Sequence, residues 1–263
     1  MRNYGLASLM ILVVTLGLGW SLRWPPTPGG MGLPEAPQLW LLLGALGLLN
    51  GVGSERLLRA HPRWPGYPTA HPLKICLLST LLVPVASLFI RSVVNDYWMV
   101  MGVAISGALA AAILLAEFGA LDYRNRGYSV ARFFITTMNY LLIFGTYYVV
   151  DTLRLPIWGA ITVVMIVSSL MARELFRDES HGQRPEVYAA VVGLIMGEIR
   201  WGLEFWSMGA VQAGLFMLLI FYMVSGLVQH HLTLSLDKKT VMEFMVVAGV
   251  SLALLFSSPL WLG

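Results

Sequence analysis

Nine stretches of this chain run for about 17 to 21 residues with scarcely a charge: 4–22, 38–56, 73–91, 97–117, 132–151, 156–172, 187–206, 210–229 and 241–261. A helix rises 1.5 Å per residue, so stretches of this length match the roughly 30 Å of hydrocarbon in a bilayer. Only 12% of the 263 residues are charged, about half the level of an ordinary soluble domain. So little charge cannot cover a water-facing surface of this size. The expected fold is therefore all-α: a polytopic integral membrane helical bundle of about nine transmembrane helices. The sixth stretch is short. The second is thinned by Asn50, Gly51 and Gly53, and eight spans remain if it is discounted. No connecting loop is long enough to fold separately, so 1–263 reads as a single membrane domain without a soluble one.

Arg2 precedes the apolar run Gly5–Trp20, as in a signal peptide. No small-x-small cleavage site follows, and the chain continues into "SLRWPPTPGG". The reading is an uncleaved first span.

Loop charge orients the bundle. With the N-terminus inside, thirteen Lys and Arg fall on inner segments, three (Arg23, Arg91 and Arg154) on outer ones, and Arg200 within a span. Positive charge is retained on the cytoplasmic side, which places the N-terminus inside and the C-terminus outside. The reading is an integral protein of a prokaryotic-type plasma (inner) membrane. Trp20, Trp24, Trp40, Trp98, Trp158, Trp206 and Trp261 lie at predicted outer ends. Indole favours the headgroup level, and these positions agree with the same threading.

The third to eighth spans form three antiparallel hairpins with tight outer turns, around "SVVND", "TLRL" and "SMG". Short turns make the joined helices neighbours. Each tip carries an acid and a base: Arg91 with Asp96, Asp151 with Arg154, and Arg200 with Glu204. The pattern suggests an internal repeat, though a short polar turn also collects such pairs by itself.

The segment "GEIRWGLEFW", 197–206, holds three charges in an apolar span. At 100° per residue, Arg200 and Glu204 lie about 40° apart and can pair along one face, whereas Glu198 points about 160° from Arg200. With Trp206 at the outer interface, Glu204 lies about 3 Å deep, Arg200 about 9 Å and Glu198 about 12 Å. A carboxylate at that depth must be protonated, paired or wet. Tyr147, Tyr148 and Gln212 are its candidate polar partners. The preceding Gly193–Gly197 has the GxxxG spacing that lets helix backbones approach closely.

Other chemistries find little support. The lone Cys76 excludes an internal disulfide. The five histidines lie on the inner side without metal-ligand spacing, so no metal and no cofactor are expected. No catalytic residue is assigned, because phosphate loops, nucleophile elbows and Ser/His/Asp arrangements are missing. A net charge of +3 without a basic stripe gives no sign of nucleic-acid binding. Three functions remain. The first is a non-catalytic scaffold, accessory or assembly subunit whose partners are the lipid bilayer and other membrane proteins or a second copy. The second is a small solute or ion (proton-coupled) transporter using Glu198. The third is an intramembrane enzyme acting on a lipid or isoprenoid.

Overall fold

The computed structural model describes residue 17 and residues 37–59, 77–91, 96–120, 127–153, 155–176, 185–206, 208–233 and 238–257. These form eight α-helices and, among the described residues, no strand. The helices are α1 (Pro37–Arg59), α2 (Leu77–Arg91), α3 (Asp96–Gly119), α4 (Tyr128–Thr152), α5 (Ile157–Phe176), α6 (Pro185–Leu203), α7 (Ala210–Leu232) and α8 (Lys238–Ser257). They correspond to the second to ninth expected spans. Of the first expected span, only Gly17 is described; it is helical, and a Cβ there would overlap the Leu46 side chain.

Five helices are long and apolar enough to cross a membrane: Leu41–Arg59, Met99–Gly119, Tyr128–Thr152, Ile157–Phe176 and Ala210–Leu232. That is fewer than the nine expected. α2 and the apolar part of α8, Met242–Ala253, are shorter. α6 carries Glu186, Glu198 and Arg200 within its 19 residues.

The chain divides into two compact units, residues 1–142 and 143–263. In the first, α1, α2 and α3 pack in succession. The residues that thin the second expected span form its packing face. Gly47 and Gly51 let α1 approach α2 so closely that a Cβ at Gly51 would overlap the Thr80 hydroxyl, and one at Gly47 would sit 2.8 Å from the Thr80 carbonyl oxygen. Asn50 Nδ2 donates to the Ser79 carbonyl at 2.6 Å, and Ser54 Oγ donates to the Asn50 carbonyl at 2.7 Å. Leu46 and Val83 fill the adjoining core, flanked by Leu42 and Val103. A helix that looks weak by hydropathy is thus held by small residues and an interhelical hydrogen bond.

In the second unit α5 packs closely on α6, the helix that follows it. Gly193 explains it. A Cβ there would overlap Ser169 Oγ and the Met165 carbonyl oxygen, whereas one at Gly197 would make ordinary contacts of 3.5 Å with Ile161 and Met165. Gly193 lies near Ser169 and Gly197 near Ile161, so the helices run antiparallel. The small-residue face of α6 makes this close approach possible.

α6 packs on α7 and α7 on α8. Pro185 opens α6, a position where its missing N–H costs nothing. Gly209 precedes α7 in an extended conformation, and its N–H donates to Gln212 Oε1 at 3.0 Å. That is the reach-back half of a capping box. At the other end of α7, the Thr233 N–H donates to the Gln229 carbonyl at 3.0 Å.

Candidate functional site

α6 has two faces. Ala189, Val192, Gly193, Met196, Gly197, Arg200 and Leu203 are buried. Arg200 is thus on the packed face, where a guanidinium requires partners. Its Nη1 lies 3.2 Å from Glu204 Oε2, as the one-turn spacing predicts, and its Nη2 lies 3.7 Å from Asp151 Oδ1 at the end of α4. Two carboxylates around one guanidinium leave this cluster with a formal charge of −1. Arg200 is thereby a tie between α4 and α6 as well as the partner of Glu204. Sequence reasoning had assigned Asp151 to Arg154, and had paired Arg91 with Asp96. Arg154 and the Asp96 side chain lie outside the described residues.

Glu198 is exposed, on the opposite face. It makes no hydrogen bond or ion pair among the described residues. The helix ends at Leu203 and residues 204–206 form a turn. Glu198 is therefore about 7.5 Å from the helix end, shallower than the roughly 12 Å measured back from Trp206. It still stands about 20 Å from Pro185, inside the span the sequence assigns to the membrane.

The described contacts of its three candidate partners lie elsewhere. Tyr147 is buried, and its hydroxyl shares a 2.8 Å hydrogen bond with Ser168 Oγ of α5. The Tyr148 ring stacks on Phe144 with centroids 6.4 Å apart. Gln212 is buried and binds the Gly209 N–H through Oε1, while its Nε2 makes no hydrogen bond among the described residues.

Two buried acids received no role from sequence reasoning. Glu117 is 6% exposed, and its carboxylate oxygens lie 3.1 and 3.2 Å from Ser79 Oγ. With Asn50 on the Ser79 carbonyl, this makes a polar cluster linking α1, α2 and α3. Glu174 is 4% exposed near the end of α5, where Gln229 Nε2 of α7 donates to the neighbouring Leu175 carbonyl at 3.4 Å. Both acids stand two residues before a helix end. A helix end within a turn of the interface suggests water around Glu117, whereas Ser79 of α2 covers it.

His61, His71 and His181 lie outside the described residues. His230 and His231 point differently: one ring packs on Phe244 at 5.7 Å, the other on Tyr188 at 5.8 Å. Among the described residues no three His, Cys, Asp or Glu come together in a group able to hold a metal ion.

Among the described residues the regular structure is all helical and five apolar helices reach spanning length, which makes this an integral membrane protein. It belongs to the family of proteins of unknown function DUF5656, whose model matches residues 27–258 and takes in all eight helices. No curated protein and no solved structure matches it.

Proposed function

We propose that this protein is a non-catalytic membrane subunit, a scaffold or assembly partner that packs beside other membrane proteins. The observation that carries this reading is the orientation of Glu198. A carboxylate inside a membrane span is costly in lipid, and this one faces away from its own helix bundle. The other in-span polar groups expected to act with it have contacts of their own: Arg200 with Asp151 of α4 and with Glu204, Tyr147 with Ser168 of α5, and Gln212 with Gly209 in the cap of α7. A proton path through this chain gains little from a carboxylate on the outside of the bundle. A contact with another protein gains a buried polar anchor. The finer membrane reading belongs to the same proposal: nine spans, N-terminus inside, C-terminus outside, in a prokaryotic-type plasma membrane.

Extraction in a mild detergent followed by native mass measurement tests the reading. The expected result is a species heavier than one chain, with a second component in fixed ratio. A single monodisperse chain that moves protons or solute in proteoliposomes, with flux abolished by Glu198→Gln, would replace the subunit by a carrier.

A further inference from the structure

The outward face of α6 has a regular spacing. Val187, Val191, Leu194, Glu198, Trp201 and Phe205 follow one another at intervals of four, three, four, three and four residues. All six are exposed; Val187, Val191, Leu194 and Trp201 are each 47–55% exposed. Alternating threes and fours make a single seam along a helix, the pattern by which one helix seats the knobs of another. The helical part of the seam, Val187 to Trp201, is about 21 Å long, and Phe205 lies in the turn just beyond it.

Apolar residues alone would suit lipid as well as protein. Glu198 separates the two cases, because it interrupts the seam between Leu194 and Trp201, with apolar residues on either side. Trp201, which follows it, meets Phe205 edge-on at 6.4 Å. Glutamate has a short stem and reaches the headgroups less well than Lys or Arg.

We infer that the α6 seam is the docking site for a transmembrane helix of another protein. That helix carries an Arg or Lys at the level of Glu198, about five residues in from its outer end. The inference rests on the subunit reading above. Charge complementarity selects this occupant. A second copy docked seam to seam around a twofold axis along the membrane normal would bring two Glu198 carboxylates together. The packed side of α6 already has its base, Arg200, engaged by two acids, so the chain's own nearby guanidinium is committed inward. A basic residue from outside would neutralise Glu198 in the setting where an ion pair between helices holds strongly.

The test uses the full chain in its native membrane. A photo-crosslinking amino acid is placed at Leu194, and at Val100 of α3 for comparison. Crosslinked products are sequenced by mass spectrometry. The inference expects a heteromeric product from Leu194, joined to a transmembrane segment with an Arg or Lys within one turn. Glu198→Leu should lower its yield at least tenfold. Glu198→Lys should restore it only when the partner's base is changed to Glu. Glu198→Gln serves as a second, milder variant, and unchanged thermal unfolding of the purified chain shows that neither variant misfolds. A product with a second copy, with residues 4–22 of the same chain, or with a helix lacking a base overturns the inference. So does a yield indifferent to Glu198. Heteromeric products from Val100 but none from Leu194 also overturn it while leaving the subunit reading standing. No protein product from either position, with a single-chain mass in the extract, ends both.

Discussion

α3 and α6 both turn a long apolar stripe outward, and they dispose of their carboxylates in opposite senses. α3 exposes Tyr97, Val100, Met101, Ile105, Leu115 and Phe118, with no acid or base among them, and turns Glu117 inward onto Ser79. α6 exposes Val187, Val191, Leu194 and Trp201 with Glu198 between them, and turns Arg200 inward onto Asp151 and Glu204. An outward face free of charge suits lipid chains. One with a carboxylate at its centre suits a protein. The same composition thus yields two surfaces, and the difference lies in which side of the helix receives the ionisable group.

Removing the inward group of α6 should have the largest effect on the isolated chain. Arg200→Met takes the guanidinium from between Asp151 and Glu204. The expected loss is about 3 kcal/mol, the low end for a buried pair broken from one side, because the Glu204 side chain is 46% exposed. Thermal or denaturant unfolding in detergent would measure it, and a loss below about 1 kcal/mol would make the cluster a surface feature.

Next comes the packed face itself. Gly193→Val drives a branched side chain into Ser169 and the Met165 carbonyl, so a loss of about 1–3 kcal/mol or more is expected. Gly197→Ala, one turn away, meets only ordinary contacts and should be neutral, or stabilising by roughly 0.5–1 kcal/mol from the lower helix entropy cost. Equal effects at the two glycines would remove Gly193 as the determinant of the α5–α6 pairing.

On α2, Ser79→Ala withdraws the hydroxyl that both oxygens of Glu117 on α3 approach. Leaving a buried carboxylate short of a donor should cost about 1–3 kcal/mol. A parallel Glu117→Gln should cost less, since an amide also bonds a hydroxyl. The smallest effect on the isolated chain is expected from Glu198→Leu, within about 0.5 kcal/mol in detergent, because Glu198 has no partner among the described residues. A large loss there would mean that Glu198 is tied within the chain and would erase the contrast with Glu117.

Local geometry was legible in the sequence. The one-turn spacing of Arg200 and Glu204 gives their ion pair, and 100° per residue puts Glu198 on the other face. Gly193 and Gly197 marked a close approach, although only Gly193 needs to be glycine. Asp151 on Arg200 and Ser79 on Glu117 were not legible. Each joins residues far apart in the chain, and periodicity says nothing about which helix comes alongside. Glu117 gives no signal because a helix end suggests water, while α2 comes alongside it. Sequence also cannot say which face of a span the bundle covers. That is why Glu198 was expected to meet Tyr147, Tyr148 or Gln212, and the structure turns it the other way.

Hydrophobic carbene footprinting in native membranes tests the central contrast most directly. The reagent dissolves in lipid and labels side chains that lipid reaches. The account predicts heavy labelling of Val100 and Ile105 on α3, with Val191 and Leu194 on α6 protected at least severalfold, and the protection lost once the chain is purified alone into detergent. Equal labelling of both faces in the native membrane would show that lipid covers α6 as it does α3, and would contradict the account.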